Sequence, residues 1–495
     1  MNRSRRRLVN VALAAGIGAV ALLVRIPGTG EGFTIDERLW IDRADRFVGA
    51  VSDGRFGDTL ESGHPGVTTM WIAGLAQRTL PDDADLRDRY ARARAWMAVV
   101  SAALIVLIWW LGRAVVGELA ALLGGLLIAL DPFVLALNRL VHVDGLLALL
   151  MLASALAFFG SLGRQSRSLL LASGVTAGLS LLTKQPAVFL VLVAVIGLWR
   201  AEDRIKRFAI WAGAAAVTVV ALWPALWVSP RQTISIMAGG SEVALTEGHH
   251  GGFFLGEVTG DPGPLFYPVA FAFRASEFIL PAVVVTAVWA IRRRREKPAR
   301  ATLILLAFAL GLLIVMTVAP KKGDRYILPS FVAIDLAVAV GLAELIRVRG
   351  RVVAIGAAAM LALHAAPGLA LHPYELSHFN WTAGGPSVAE GAIVVGFGQG
   401  VDEAARELSV IPGAASMTVA TTWEINFTEF FVGRTIKIEE SSLMEPGGVE
   451  PDLVLFYISS VQAGLVPDVW ERYRERAPFY ELEMSGIPYV RVYRV

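Results

Sequence analysis

Long apolar segments recur along most of this chain, and they constrain its fold more than any other feature of the sequence. A helix that crosses the hydrocarbon core of a bilayer needs about 20 mainly apolar residues, because every backbone polar group must be paired within the segment. The chain is therefore predicted to be a polytopic α-helical membrane protein. About 11 spans are predicted, near 8–24, 94–112, 118–135, 143–160, 168–183, 186–199, 208–227, 266–291, 301–318, 328–345 and 352–370.

Composition and charge exclude several other classes of protein. Only 18% of the 495 residues are charged and the mean hydropathy is +0.58, which excludes a soluble globular enzyme. The 45 basic and 43 acidic residues nearly balance, so nucleic acid is not expected as a partner. The chain contains no cysteine, which excludes disulfides, thiolate nucleophiles and cysteine-ligated metals. Any chemistry must come from carboxylates, histidines, lysines, arginines and hydroxyls.

The positions of Lys and Arg predict the orientation, because short cytoplasmic loops retain cations. A cytoplasmic N-terminus places outer loops at 25–93 and 228–265, a short outer turn at 320–327 and the tail after 371 on the extracytoplasmic side. The first span is expected to be a retained anchor, since no small-residue cleavage site precedes Arg25. The cations that then face the cytoplasm are Arg164, Arg167, Arg200, Arg204, Lys206, Arg207, Arg292, Arg293, Arg294, Arg295, Lys297, Arg300, Arg347, Arg349 and Arg351.

The chain is predicted to divide into a membrane domain, 1–371, and a small extracytoplasmic α/β domain, 372–495. In the tail, strand-length apolar runs alternate with charged helical stretches. The segment GFGQG at 396–400 lacks the glycine spacing and the strand–helix context of a phosphate-binding loop, so no nucleotide cradle is predicted. Strands are predicted at 416–421, 434–438, 453–458, 478–483 and 487–494, and helices at 401–409, 423–432 and 468–475.

Two short interfacial helices are predicted in the first outer loop. Apolar residues recur at helical spacing over 38–51 opposite a charged face, which is typical of a helix lying in the membrane interface. A second helix begins at His64 and ends at 80, too short to span. Asp36 and Glu37 lie at the start of the first helix, where helix capping and a catalytic role are both open and compatible. His64 is either structural or a ligand contact.

Ionisable groups at the outer ends of spans cost free energy in a membrane and often mark functional sites. Arg and Lys gathered at one face suit a phosphate, and an acid beside them supplies a base. Snorkelling to lipid headgroups is the alternative for any single cation, and it is preferred for Lys322. Asp335, within the tenth span, has no assigned role. The groups at the three outer turns are Arg139, His142, Asp144, Lys184, Lys321, Lys322, Asp324, Arg325 and Tyr326.

In their order and sidedness these motifs resemble the C-type (GT-C) membrane glycosyltransferases, specifically the branch of protein O-mannosyltransferases and the aminoarabinose lipid A transferase. The resemblance covers residues 30 to about 400. The lipid A transferase has Lys-Pro where this chain has His64-Pro65, so a phosphate contact there requires a protonated or hydrogen-bonding histidine. The signature WWDYG is absent, which disfavours transfer of whole oligosaccharides to asparagine. The motifs are the Asp36-Glu37 pair, His64-Pro65, Arg139 to Asp144, Thr183 to Pro186, Asp261 to Phe271, Lys322 to Pro329 and Tyr374 to Pro386.

The resemblance implies an enzyme in a bacterial-type plasma membrane that takes a hexose or pentose from a polyprenyl-phosphate carrier. The acceptor hydroxyl belongs to a protein Ser or Thr or to a lipid or cell-wall glycan on the extracytoplasmic face. The resemblance implies Asp36 as the catalytic base, and an inverting mechanism is expected, with Glu37 capping or orienting beside it. No cofactor is required and no metal site is predicted, although a divalent cation between the acids and the phosphate is compatible with the site.

Each remaining polar residue of the site has an expected role. The cations at the outer turns are expected to hold the leaving phosphate and stabilise its developing charge. These cations are Arg139, Lys184 and Arg325, with His64 and Tyr326 donating hydrogen bonds and Asp144 orienting sugar hydroxyls or one of the cations.

A multi-span transporter is the alternative class of function, because many spans with buried charges also describe transporters. Transporters typically contain internal repeats, and the sequence shows none. The long outer tail and the interfacial helices fit an enzyme acting on a lipid-linked substrate better. A receptor or scaffold leaves the embedded charges unexplained.

Overall fold

The computed structural model describes residues 3–81, 83–246 and 252–495, so 247–251 of the predicted outer loop 228–265 lie outside the described residues. Helices dominate the first 371 residues. They are α1 (Arg3–Leu23), α2 (Ile35–Ser52), α3 (Val67–Gln77), α4 (Leu86–Val115), α5 (Glu118–Leu130), α6 (Pro132–Arg139), α7 (Val143–Arg164), α8 (Arg167–Thr183), α9 (Phe189–Leu198), α10 (Arg204–Leu222), α11 (Ala225–Val228), α12 (Pro230–Thr246), α13 (Phe266–Arg274), α14 (Ile279–Arg292), α15 (Lys297–Val318), α16 (Leu328–Arg349) and α17 (Arg351–Ala370).

The described residues contain seven helices long and apolar enough to cross a membrane, namely α1, α4, α7, α10, α15, α16 and α17. The number rises to nine if the bent pairs α5/α6 and α13/α14 each form one span. Two shorter apolar helices account for the predicted stretches 168–183 and 186–199. The prediction of a polytopic helical protein is confirmed, while the number of eleven spans stays a prediction.

Two of the predicted spans are bent in the structure. Between α5 and α6 the axis turns by 63°, because Asp131 ends one helix and caps the next with its side chain, 2.8 Å from the Val134 N–H. Pro132 at the first position of α6 lacks the N–H that continuation of α5 would use. The second bend, of 113°, separates α13 from α14.

The helices α7 and α16 form the centre of the bundle. In their most apolar windows 89% and 83% of the residues are buried, compared with 11% in α1. The first-loop helices α2 and α3 pack on each other beside this centre. Trp40, Ile41, Ala44, Phe47 and Val48 of α2 are buried, so the predicted apolar face is confirmed.

The tail contains a five-stranded sheet of order β4-β3-β5-β7-β6, in which β3 is parallel to both β4 and β5. β7 is antiparallel to β5 and β6. The strands lie where the pattern predicts them, whereas the domain boundary at 372 stays a prediction. One cluster of buried apolar side chains runs from α7 and α16 into the sheet. The strands are β1 (Phe253–Phe254) and β2 (Glu257–Val258), a hairpin before α13, and β3 (Thr418–Thr421), β4 (Arg434–Lys437), β5 (Leu453–Tyr457), β6 (Tyr480–Met484) and β7 (Ile487–Arg494); the tail helices are α18 (Gly385–Glu390), α19 (Val401–Ser409), α20 (Glu424–Thr428), α21 (Ile458–Gln462) and α22 (Pro467–Tyr473).

Candidate active site

Thr34, rather than Asp36, is the N-cap of α2. Its backbone N–H donates to the Glu37 carboxylate at 3.1 Å, the reciprocal half of a capping box. Since Thr34 and Glu37 cap the helix, capping does not account for Asp36. Asp36 lies in the first turn with its side chain 27% exposed, whereas the Glu37 side chain is fully buried.

Glu37 ties the first outer loop to two other elements. Its carboxylate pairs with Arg94 of α4, which also donates to the carbonyls of Glu31 and Gly32. The Val141 N–H donates to the same carboxylate at 2.9 Å. Burial raises the pKa of Glu37, but the Arg94 charge and hydrogen bonds outweigh it, so the pKa lies below its usual range. Glu37 is therefore buried and fully paired, which is compatible with its predicted capping or orienting role.

The structure brings five charged or titratable residues together around Asp36, and we call them the ion cluster: Asp36, His142, Asp144, Lys184 and Arg325. Arg325 lies between the two carboxylates, with Nη2 3.3 Å from Asp36 and Nε 3.3 Å from Asp144. His142 also contacts both, with Nε2 3.2 Å from Asp36 and Nδ1 3.2 Å from Asp144. Lys184 Nζ donates to Asp144 at 2.6 Å. The predicted convergence of the outer turns is visible in these contacts.

Within the ion cluster only Asp36 is an accessible acid. The Asp144 side chain is 1% exposed and is surrounded by Lys184, His142 and Arg325. This arrangement favours the predicted role of Asp144 in orienting the cations over contact with sugar hydroxyls, and both roles stay predictions. Burial raises the pKa of Asp36, but the hydrogen bond to His142 and the Arg325 charge outweigh it and hold that pKa well below its usual range. Asp36 is consequently ionised at neutral pH.

Tyr326 and Phe397 place aromatic rings against the cations of the ion cluster. Lys184 Nζ lies 4.2 Å from the centre of the Tyr326 ring, and the Arg325 guanidinium lies 4.2 Å from that of Phe397. Cation–π contacts of this kind restrict the two cations to one arrangement. The rings of Tyr326 and Phe397 thus lie against the ion cluster, and Phe397 is a residue that sequence reasoning missed. The hydrogen bond from Tyr326 to the phosphate stays a prediction.

His64 lies beside the Lys184 turn, because the Gly66 N–H donates to the Thr183 carbonyl at 3.1 Å. Burial, then the Lys184 charge, lowers the pKa of His64 to about 4. The imidazole is therefore neutral at pH 7, which favours hydrogen bonding over charge as the predicted mode of phosphate contact. Its buried Nδ1 has no hydrogen-bond partner among the described residues, and the phosphate contact of His64 stays a prediction.

Arg139 does not join the ion cluster, contrary to the prediction that it holds the phosphate. Its Nη1 pairs with Glu375 and lies 2.8 Å from His372 Nδ1, while its Nη2 donates to the Pro27 carbonyl at 2.8 Å. The side chain is only 3% exposed and its charge is neutralised by Glu375. Arg139 is held away from the ion cluster because Glu375 of the YELSHFN segment is a buried acid that pairs with it. The two residues are far apart in the sequence, so the sequence does not indicate this pair.

Lys322 is also paired, since its Nζ donates to Asp261 at 2.6 Å and its side chain is 2% exposed. The preferred interpretation of Lys322 as a snorkelling residue is therefore wrong. At the same turn Asp324 pairs with Arg274 of α13 at 2.7 Å. These pairs join the hairpin and α13 to the turn that carries Arg325.

A cavity of about 440 Å³ opens beside Asp36, between the membrane helices and the tail. Its lining residues on the side of the helices include Asp36, Arg274, Lys322, Asp324, Arg325 and Tyr326, and those from the tail include Phe397, Gln399, Thr422, Trp423, Ser459 and Ser460. Sequence reasoning missed all six of the tail residues. For Phe397 and Gln399, the sequence signal that could have indicated them is the alternating glycines of GFGQG. A Cβ at Gly396 would lie 2.5 Å from Tyr457 Oη, and a Cβ at Gly398 would lie 2.8 Å from the Trp423 ring. The loop therefore approaches the sheet closely at both glycines.

One group with metal-ligand spacing occurs within the described ranges, formed by Asp131, Asp335 and His364, whose ligand atoms lie within 4.8 Å of one another. Both ring nitrogens of His364 are engaged, by Ser276 Oγ at 2.7 Å and the Leu127 carbonyl at 3.1 Å. None of the three residues lines the cavity beside Asp36. Asp335 therefore lies beside Asp131 and His364, in a group that is separate from the cavity beside Asp36.

Comparison with known proteins identifies the class of fold. A family model described as dolichyl-phosphate-mannose-protein mannosyltransferase matches residues 87–227, somewhat over a quarter of the chain. No curated protein sequence matches the chain. The apo structure of ArnT from Cupriavidus metallidurans aligns with a TM-score of 0.52 at 14% identity, covering 97% of both chains.

Two further solved structures are similar over most of this chain. ArnT from Cupriavidus metallidurans bound to undecaprenyl phosphate has a TM-score of 0.47 at 14% identity, covering 99% of this chain and 98% of that one. The apo oligosaccharyltransferase from Archaeoglobus fulgidus has a TM-score of 0.48 at 12% identity, covering 93% and 72%.

The chain has the fold of the C-type membrane glycosyltransferases, as the alignment with apo ArnT shows. The family model supports a glycosyltransferase, and within that class the chain resembles the protein O-mannosyltransferase and ArnT type. The resemblance seen in the sequence is thereby confirmed.

Proposed function

We propose that this protein transfers a sugar from a polyprenyl-phosphate carrier to an acceptor hydroxyl, with Asp36 as the general base. The observation that carries the proposal is the position of the Asp36 carboxylate, which lines a cavity of about 440 Å³ and contacts Arg325 at its edge. An acid and a cation at one cavity match the two needs of the reaction, proton removal from the acceptor and charge stabilisation on the leaving phosphate.

The ion cluster is electrically balanced before a donor binds. Its two cations, Lys184 and Arg325, face the carboxylates of Asp36 and Asp144. A phosphate must therefore take over the contact between Arg325 and Asp36. Because the Arg325 charge helps to lower the pKa of Asp36, engagement of that charge by phosphate raises the pKa toward the range of an effective base. Donor binding would thus activate the base.

The same geometry favours direct inversion. Retention usually requires a second carboxylate about 5 Å away that attacks the sugar and is later displaced. Asp144 has the right chemistry, but its side chain is 1% exposed and shielded by Lys184 and His142. A single accessible carboxylate therefore favours direct attack by the acceptor, with release of the polyprenyl phosphate and transfer of the hydroxyl proton to Asp36.

The hydrogen-bonding role of His64 gives a testable pH dependence. We expect His64→Ala to weaken binding of undecaprenyl phosphate roughly fivefold, the scale of one hydrogen bond. Because the His64 pKa of about 4 lies below 6.5, the residue stays neutral over the physiological range. The ratio of wild-type to variant affinity should therefore be constant between about pH 6 and about pH 8. A ratio that falls as the pH rises would indicate a protonated histidine instead.

We propose that the cavity faces the extracytoplasmic side and that the N-terminus is cytoplasmic, as the cation distribution predicts. Single cysteines can be introduced without background, because the chain has none. A cysteine replacing Glu475, whose side chain is 88% exposed, should react with a membrane-impermeant maleimide applied to intact cells. The matched control, a cysteine replacing the exposed Ser168 in the first turn of α8, should react only after permeabilisation. Reversed labelling would contradict the orientation.

A further inference from the structure

The tail wall of the cavity is built at the carboxyl ends of two neighbouring parallel strands. Thr422 and Trp423 directly follow β3, and Ser459 and Ser460 follow β5 by one turn. From β3 the chain passes to β4 on one side of the sheet, whereas from β5 it passes to β6 and β7 on the other. The crevice between β3 and β5 is therefore a topological switch point, the place where open α/β sheets bind ligands.

The two halves of the cavity differ in charge. The charged lining residues are Asp36, Arg274, Lys322, Asp324 and Arg325, all of which precede the tail. The lining residues contributed by the tail carry amide, hydroxyl, aromatic or aliphatic side chains and no formal charge. The first half suits a phosphate, while the second suits a ligand with many hydroxyls and no charge.

Trp423 is held rigidly at the centre of this uncharged wall. Its indole N–H donates to Ser460 Oγ at 2.9 Å, and that hydroxyl lies 2.7 Å from Thr422 Oγ1. The ring also packs on Tyr457, with the centres 4.5 Å apart. An aromatic ring fixed in this way can stack against the C–H face of a sugar with little loss of conformational entropy, while neighbouring hydroxyls bind the sugar's edge.

The wall lies close to Asp36. A Cβ at Gly398 would be 2.8 Å from the Trp423 ring and 3.1 Å from the backbone nitrogen of Ile35. Ile35 directly precedes Asp36. The Ile35 N–H also donates to the Phe397 carbonyl at 3.3 Å. A ligand on Trp423 thus lies in the same cavity as the proposed base.

We propose that Gln399, Thr422, Trp423 and Ser460 form a subsite for one uncharged sugar residue beside Asp36. The inference rests on the proposed function and deepens it, because it makes the sheet of the tail a carbohydrate-binding surface. The sugar belongs either to the acceptor, as a glycan, or to the lipid-linked donor, and the chemistry of recognition is the same for both.

The test is saturation-transfer NMR on the full-length protein in lipid nanodiscs with methyl glycosides of mannose, glucose, galactose and arabinose. At least one glycoside should give a signal with the wild type. Trp423→Leu should reduce that signal at least fivefold, and Thr422→Val, which conserves shape, should reduce it as well. The matched control is Trp381→Leu, at a tryptophan that is 70% exposed and lies outside the cavity, and it should leave the signal unchanged.

Lipid-linked sugars extracted from native membranes distinguish the two sources of the sugar. They should displace the methyl glycoside if the subsite holds the donor sugar, and leave it bound if the subsite holds an acceptor glycan; either result supports the subsite. Absence of any wild-type signal, or equal loss in Trp423→Leu and Trp381→Leu, would overturn it. Wild-type binding of undecaprenyl phosphate is measured separately, so failure of the subsite alone is distinguishable from failure of the proposed function.

Discussion

Asp36→Asn should lower the rate of sugar transfer by at least about a hundredfold, the effect typical of a lost general base. The substitution removes the proton acceptor but preserves an oxygen that accepts hydrogen bonds from His142 and Arg325. Helix α2 should remain intact, because Thr34 and Glu37 provide its cap. The measurement is single-turnover transfer by protein in nanodiscs, with undecaprenyl phosphate binding as the check on folding.

Asp45→Asn is the matched control for this prediction. Asp45 lies on the same helix with its side chain 48% exposed and touches only Arg89 among the described ion pairs. The control should retain normal transfer. Near-normal turnover of Asp36→Asn would show that another group removes the proton, and it would leave Asp36 as a structural partner of Arg325.

Arg325→Ala should weaken the binding of undecaprenyl phosphate by about 1.5 to 3 kcal/mol, the scale of a charge-assisted hydrogen bond. Arg325 is the cation that both contacts Asp36 and lines the cavity. Its removal also leaves the Asp36 and Asp144 carboxylates with less compensation, which repels a phosphate further. Equilibrium binding of labelled undecaprenyl phosphate to the reconstituted protein measures the loss.

The control for Arg325→Ala is Lys321→Ala, which removes a cation from the same turn without changing the ion cluster. It should alter the affinity little. Undecaprenol, which lacks the phosphate, should bind wild type and Arg325→Ala equally weakly. Unchanged phosphate binding by Arg325→Ala, or tight binding of undecaprenol, would contradict the assignment of Arg325 to the leaving group.

The sequence was sufficient to predict features that depend on local periodicity. The apolar face of α2, the helices of the bundle and the strands of the tail all follow from patterns within one element. The bend after Asp131 was not predicted, because an apolar run continues across it and the change of direction depends on the side-chain cap. Apolar length alone does not distinguish a straight span from a bent pair.

Partners distant in the sequence account for the errors at the site. Arg139 was assigned to the phosphate because its acid, Glu375, lies 236 residues further along the chain. The sequence favours snorkelling for Lys322 for the same reason, since its partner Asp261 is 61 residues earlier. The sequence places Lys184, Arg325 and Asp36 at one face because membrane burial makes each of them costly unless it is used, and in the structure they lie in one ion cluster, while their roles stay predictions.

The tail residues of the cavity were missed for a different physical reason. The GFGQG loop was compared with phosphate-binding motifs, but its glycines serve close packing of the loop on Tyr457 and Trp423. A sequence shows that such glycines permit close approach, yet it does not show which segment approaches. Only the sheet order, with β3 between β4 and β5, places Trp423 at a switch point.

The most direct test of the account is the fate of the sugar on lipid-linked donors extracted from native membranes and labelled in the sugar. We expect wild-type protein in nanodiscs to transfer the label to acceptor or water with release of polyprenyl phosphate, and Asp36→Asn to leave the label on the lipid. Nucleotide sugars supplied without lipid phosphate should not serve as donors. Label that stays on the lipid with the wild type, or efficient transfer from a nucleotide sugar, would contradict the proposed function.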